Sequence, residues 1–370
     1  MDRANVVIIG GGVVGCAIAA ELAAKHDDVF LLESLPHVGM ATSTRNSGVI
    51  HSGIYYPKDS LKAQHCVAGN RLLYEFCAAH SVPHRRCGKI VVASRAEEIV
   101  ELEKLKRNGE ANGVEGLRVI DAAQIRAREP HIAGVAALEV PSTGILSSED
   151  LVKAFARVAQ QHGANIVTNA PVTALAASGN VVRVTSALGE IEARCVINSA
   201  GLYADDVAAL LGGADAARRY KIYPVRGEYC EVPRAHGHLV NALVYPLPHH
   251  HGLSLGVHFT KTLWGTVLVG PTARYITDKN DYERDREPVE AFAERGRTLL
   301  PELRAEDMVP AYSGIRPKLV PPGAPAADFI IERDAAVPHA IHLVGIESPG
   351  LTSAPSIARE VARMTAETLG

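Results

Sequence analysis

Three glycines and one glutamate carry the most specific chemical signal in this chain. Gly10, Gly12 and Gly15 form a G-x-G-x-x-G directly after the apolar run VVII at residues 6–9, and a second apolar run, VFLL, ends at Glu33. This pattern predicts a buried strand, a tight turn and a helix that hold a dinucleotide. Gly10 permits the turn, Gly12 lets the backbone approach a pyrophosphate, and Gly15 lets helix and strand pack closely. The first helical turn, with Val13 and Val14, offers free N–H groups and partial positive charge to the phosphates. The Glu33 carboxylate, with Ser34 beside it, is suited to accept from ribose hydroxyls and would repel the 2′-phosphate of NADP. A second stretch, TSTRNSGVIHSGIYYPKD at residues 42–59, sets His51 between two Ser-Gly steps and interleaves Val49, Ile50 and Ile54 with hydroxyls. Neither an ordinary surface loop nor a core strand has this composition.

Larger elements must position these groups. With 370 residues the chain is long enough for two domains, and a hydrophobic content of 47% is that of an α/β protein. A net charge of −3 leaves no electrostatic footprint for nucleic acid. No apolar run reaches the length of a spanning helix. The N-terminal glycine spacing marks a first strand and turn rather than a cleaved leader. The six cysteines are scattered through apolar segments without a C-x-x-C pair, which predicts buried thiols rather than a disulfide framework. His249, His250 and His251 lie in a Pro-rich turn with no acidic or thiol partner nearby, so no metal site is expected.

Strand-like runs recur at residues 193–198 and 340–344, each followed by a Gly-containing turn and a helix. Three separated segments therefore build one nucleotide domain. An amphipathic helix is expected over residues 60–80, a charged solvated helix over 95–113, and a further helix over 286–303. The segments KIYPVRGEYCEV, NALVYPLP, LSLGVHFT and GTVLVGPTA read as strands of another sheet.

The chain resembles flavoproteins of the D-amino-acid oxidase/glycine oxidase superfamily, and within it the L-2-hydroxyglutarate dehydrogenase/oxidase family. The residues that carry the likeness are RNSGVIHSGIYY (45–56), SLKAQHCVAGNRLLYEFC (60–77), CGKIVVA (87–93), PVRGEY (224–229), LGVHFT (255–260) and VGPTA (269–273). The resemblance implies a mixed α/β fold: a Rossmann-like FAD/NAD(P)-binding domain of the glutathione-reductase type, with an inserted antiparallel-sheet substrate domain. The expected boundaries are 1–86, 141–215 and 325–370 for the FAD domain, and 87–140 and 216–324 for the substrate domain. It implies FAD, and so an amphipathic ring system for residues 42–59 to wrap. Thr42, Ser43, Arg45, Asn46 and Ser47 are expected along the pyrophosphate and ring, the backbone of Val172 at the adenine, and Ala200 and Gly201 in a small-residue turn on the cofactor. Gly350, Leu351 and Thr352 are expected at the helix N-terminus that faces the reduced ring's pyrimidine edge.

The implied reaction is oxidation of the C2 hydroxyl of a small L-2-hydroxy acid by hydride transfer to flavin N5. It calls for a cation on the carboxylate, for which Arg316 is the leading candidate, and a base for the hydroxyl proton. His51 and His258 lie on family motifs expected to face the cavity, and an imidazole near its ordinary pKa of about 6.5 suits the task. Tyr245 and Lys318 are further substrate contacts, and Arg226 is either a clamp for a distal carboxylate or half of a structural ion pair. Two other readings stay open: an amine oxidase of the glycine oxidase type, disfavoured by the histidine, and a flavoprotein that assists assembly without catalysis. The expected partners are a small carboxylate and an electron acceptor, oxygen or a quinone. Neither nucleic acid nor a membrane span is expected, and the location is cytoplasmic with peripheral contact at an inner membrane left open.

Overall fold

The computed structural model describes residues 2–248 and 256–370, so the histidine triplet at 249–251 lies outside the described residues. Three sheets organise it. The first has a parallel centre of five strands in the order Asn165–Val167, Val29–Leu32, Asp2–Ile9, Gly189–Asn198 and Ala340–Val344. Val6, Val7 and Ile8 are fully buried, as a strand covered on both faces requires. The meander of Val172–Ser178 and Val181–Ser186 extends this sheet antiparallel to Gly189–Asn198. Ile330–Arg333 pairs antiparallel with Ala340–Val344 at the other side. The helix Val13–Ala23 is apolar nearly all round because it lies between the helices Ser148–Gln161 and Gly350–Leu369.

The second sheet has nine strands drawn from Lys89–Ala93, Arg118–Asp121, Ala136–Val140 and the region from Tyr223–Val232 to Val309–Lys318. Its ladders are antiparallel except where Leu243–Pro246 runs parallel to Lys89–Ala93. A small sheet of Val49–Ile50, His84–Arg85 and Gly144–Leu146 completes the set. The helix Leu61–Ala79 starts where expected, with Ser60 as its N-cap. The helix expected over 286–303 is shorter, Val289–Gly296, with Pro288 at its N-cap. Gly296 packs so closely on Leu303 and Phe259 that a Cβ there would lie 2.6 Å from Leu303 Cδ2. Among the described residues no helix is long and apolar enough to cross a membrane, and no cluster of three acidic, His or Cys residues could hold a metal. The cysteines are free, Cys87 half-buried and the others buried.

One expected substrate contact is a structural residue instead. Arg226 is fully buried, and its Nε donates to Glu228 at 2.9 Å, while Nη1 reaches Asp281 at 3.0 Å and Nη2 donates to the Arg284 carbonyl. Its guanidinium joins the long strand Tyr223–Val232 to the 281–287 loop and leaves no donor for a substrate. The alternation along that strand turns Arg226 and Glu228 to the same face, which selects the ion pair over the clamp. Arg226→Met should lower unfolding stability by about 3–5 kcal/mol, because the buried Glu228 then keeps only Arg286, at 3.9 Å, as a cation among the described residues. Urea denaturation checks this; an unchanged midpoint combined with a raised substrate KM would restore the clamp role.

Candidate active site

A cavity of about 610 Å³ runs between the two larger sheets. It is walled by Gly12, Val13 and Val14 at the start of the first long helix, and by Thr42, Ser43, Arg45, Asn46 and Ser47. His51, Tyr55, Tyr245, His258, Arg316 and Lys318 line it too. Gly201 and the N-terminal residues Gly350 and Leu351 of the last helix complete the wall.

The glycine turn is built as its spacing predicts. Gly10 has φ +105°, and a Cβ there would meet Ser199 O at 2.6 Å. A Cβ on Gly15 would lie 2.0 Å from Gly10 O, and the Ser199 hydroxyl donates to Ile9 O at 3.0 Å across the same junction. Ala200 follows in this turn, where its N–H donates to Asn198. Gly12 differs: its backbone is extended and its only close neighbour would be Ser43 Oγ at 3.0 Å. Its missing side chain therefore leaves room in the cavity rather than relieving strain.

Glu33 is buried, and both carboxylate oxygens are already engaged: Oε2 by the Gly11 N–H at 2.7 Å, and Oε1 by the Leu35 N–H at 2.8 Å and the Ser34 hydroxyl at 3.1 Å. A carboxylate keeps further lone pairs for a ribose. Val172 begins its strand outside the cavity wall, close in sequence to Ala170, whose N–H donates to Glu33 O at 2.8 Å.

The 42–48 segment is tied down at both edges. The Val13 N–H donates to Ser43 Oγ at 2.8 Å, so one free N–H of the helix is satisfied within the protein. Asn46 folds back on Ser43 O at 2.7 Å and receives the Gly48 N–H at 2.9 Å. Tyr312 donates to Asn46 O at 2.7 Å, and Gly314 lets the strand Val309–Lys318 touch the Arg45 carbonyl. The Arg45 guanidinium stacks 4.3 Å over Tyr282.

His51 is held by its backbone: its N–H donates to Thr352 Oγ1 at 2.9 Å, and its carbonyl accepts from Asn70 at 2.8 Å. The ring has Nε2 3.2 Å from Ser348 Oγ, while Nδ1 is buried without a partner. Burial, then the fields of Lys89 and His258, push its pKa down to about 3, so the ring is neutral and less basic than the ordinary imidazole expected from sequence. His258 stacks on Tyr245 with ring centroids 3.7 Å apart. Its Nδ1 lies 2.9 Å from the Gly256 carbonyl, which can only accept, so Nδ1 carries the proton and Nε2 keeps its lone pair. Burial lowers its pKa to about 3 as well, and Lys89 and Arg316 add to the effect.

Arg316 donates to Thr272 O at 3.2 Å and has no ion-pair partner among the described residues. Gly227 on the facing strand makes its place, since a Cβ there would lie 2.7 Å from Nη1. Lys318 is not free: it shares the Glu347 carboxylate with Lys62, at 3.1 and 3.0 Å. Burial opposes ionisation of Glu347, but the two ammonium groups outweigh it and hold the carboxyl below its usual range. Asp328, the other acid on the cavity wall, accepts the Leu61 and Lys62 N–H groups at 2.6 and 2.9 Å. Sequence reading missed Lys62, Lys89, Ser348 and Glu347. Lys89 had a signal, since a lysine opening the apolar run KIVVA belongs to a strand that turns out fully buried.

These residues fit FAD. The cavity joins two helix N-termini to a polar, glycine-bearing segment, Gly12 vacates space on its wall, and His51, also on the wall, has an unpartnered buried ring nitrogen.

Comparisons with known proteins agree. The family model described as FAD dependent oxidoreductase matches residues 5–364. The L-2-hydroxyglutarate dehydrogenase of Arabidopsis thaliana mitochondria is 36% identical, over 98% of this chain and 83% of that protein. The L-2-hydroxyglutarate dehydrogenase of Escherichia coli K12 is 34% identical, over 96% and 91%. Among solved structures, L-α-glycerophosphate oxidase from Mycoplasma pneumoniae with FAD bound superposes with a TM-score of 0.90 at 30% identity, over 99% of this chain and 95% of that one. Glycine oxidase from Geobacillus kaustophilus shares the fold, with a TM-score of 0.82 at 22% identity, over 99% and 95%.

Gly12→Val should fold yet purify colourless, because its backbone tolerates a side chain whereas the vacated space does not. Absorbance near 450 nm, together with an unchanged circular dichroism spectrum, checks this; a yellow variant would remove Gly12 from the cofactor site.

Proposed function

This chain belongs to the family of FAD-dependent oxidoreductases, and from that premise we propose that it oxidises the C2 hydroxyl of an L-2-hydroxy dicarboxylate of the 2-hydroxyglutarate type. The observation that carries the proposal is Arg316, a guanidinium without an ion pair among the described residues, on the same cavity as the neutral imidazole of His51. The near full-length relatives named L-2-hydroxyglutarate dehydrogenase support the choice of substrate. The acids of the wall speak against an amine. Glu347 is neutralised by two lysines and Asp328 is occupied by backbone N–H groups, so neither is free for an ammonium.

When bound, FAD supplies the two-electron acceptor for the hydride from C2. The residues that would hold it are Gly12, Val13 and Ser43–Ser47 along the phosphates and ring, with Glu33 toward the ribose and Gly350–Thr352 at the last helix. Arg316 binds the α-carboxylate with its planar fork and fixes which face of C2 is presented. His51 accepts the hydroxyl proton at Nε2, and the Ser348 hydroxyl, which shares that nitrogen, turns to hydrogen-bond the substrate oxygen. The bound carboxylate offsets the positive field of Lys89, raising the basicity of His51 when substrate is in place. His258 offers its Nε2 lone pair as a second acceptor. The two larger sheets divide the work: the mainly parallel one carries the cofactor contacts, and the mainly antiparallel one carries Arg316, Tyr245 and His258.

His51→Ala should keep FAD and slow anaerobic flavin bleaching by L-2-hydroxyglutarate by about 10²–10⁴-fold. His51→Gln should be similarly slow, since it preserves hydrogen bonding without proton transfer. Wild-type rates in both variants would place the base elsewhere. Arg316→Met should lose about 2–5 kcal/mol of binding or transition-state stabilisation. Steady-state kinetics read this directly, and unchanged kcat and KM would refute the clamp.

A further inference from the structure

One buried lysine enters this chemistry only through its field at His51. Lys89 opens the strand Lys89–Ala93, is fully buried and has no carboxylate partner among the described residues. Its Nζ donates to Tyr55 Oη at 3.3 Å and lies 4.4 Å from the Tyr55 ring centroid and 4.7 Å from that of Tyr245. Two aromatic faces and one phenol oxygen are weak compensation for an ammonium taken out of water. Burial accordingly lowers the Lys89 pKa to about 7, so the amine is only partly charged at neutral pH and a bound anion would hold it as the ammonium.

The hydrogen-bond direction shows where the anion belongs. In the charged form that an anion would favour, the ammonium can only donate, so Tyr55 Oη is the acceptor and its own O–H points elsewhere. Tyr55 lines the cavity, whereas Lys89 lies behind it. Burial, with Tyr245 adding to it, keeps the Tyr55 phenol protonated, so it remains a donor. Lys89 thus polarises an O–H on the cavity wall. The field of Lys89 is felt at His51 and His258, and that of Arg316 at His258, so both cations act on one cavity from different supports.

We propose that Tyr55, polarised by Lys89, forms the subsite for the distal carboxylate of the substrate and so selects dicarboxylates over monocarboxylates. This deepens the proposed function and rests on it for Arg316 as the α-carboxylate site. Lys89 acts through Tyr55 and is a positioning residue.

The test measures binding of two unreactive ligands to the FAD-loaded protein from flavin absorbance changes: glutarate, and valerate as its monocarboxylate counterpart. Wild type should prefer glutarate by on the order of 10²-fold. Lys89→Met should bind the two within a few-fold of each other, with valerate affinity unchanged and Tm no lower than wild type. Lys89→Arg should recover much of the preference, and Tyr55→Phe should lose it. A wild type without preference, or a Lys89→Met variant that keeps it or weakens both ligands equally, would overturn the subsite. Bleaching by L-2-hydroxyglutarate in the same wild-type sample reports separately on the proposed function. Preference without bleaching would sink that reaction while keeping the subsite, and bleaching without preference would do the reverse.

Discussion

The Thr352 hydroxyl is the contact on which the geometry of the cavity turns. It is fully buried in the first turn of the last helix, accepts the His51 N–H at 2.9 Å and donates to the Val49 carbonyl at 3.4 Å. One side chain thereby fixes the candidate base to the helix whose N-terminus forms part of the cavity wall. Gly69 makes the contact possible from the other side, since a Cβ there would lie 2.3 Å from the Thr352 carbonyl. With the helices Leu61–Ala79 and Gly350–Leu369 this close, Asn70 on the next position reaches both the His51 and the Ser142 carbonyls, at 2.8 and 3.0 Å. The His51 backbone is thus held at both its N–H and its carbonyl.

The electrostatics follow from what that cavity lacks. Its acids are engaged, His51 and His258 are neutral, and Arg316 and Lys89 have no carboxylate of their own among the described residues. A site of this kind stabilises an anion without first breaking an internal ion pair, so the electrostatic benefit goes to the ligand. Arg226 is the instructive contrast. It is as buried as Lys89 but paired with Glu228 and Asp281, and the protein uses it to join a strand to a loop.

Much of this was legible in the residues. The G-x-G-x-x-G between an apolar strand and a helix specified the first turn, because Gly10 and Gly15 answer local steric demands and Gly12 leaves room beside them. The alternation of PVRGEY marked a strand, but nothing local told whether Arg226 faced substrate or an acid from the distant 281–287 loop. The Lys62–Glu347–Lys318 triad was illegible for the same reason, its members being brought together by three separate elements. The helix at 286–303 was over-read because its apolar spacing persists beyond Gly296, where close packing on Phe259 and Leu303 replaces helical continuation. Histidine basicity was misjudged because the pKa depends on burial and on Lys89, which the sequence places 38 positions away.

The central claim is that this cavity oxidises an anionic 2-hydroxy acid. The most direct measurement mixes the purified yellow protein anaerobically with L-2-hydroxyglutarate, its D enantiomer, L-glutamate and glycerol 3-phosphate in separate syringes, and follows flavin bleaching in a single turnover. The account predicts rapid bleaching by L-2-hydroxyglutarate, with the other three slower by orders of magnitude. Fastest bleaching by L-glutamate, or none with either hydroxyglutarate enantiomer, would contradict it.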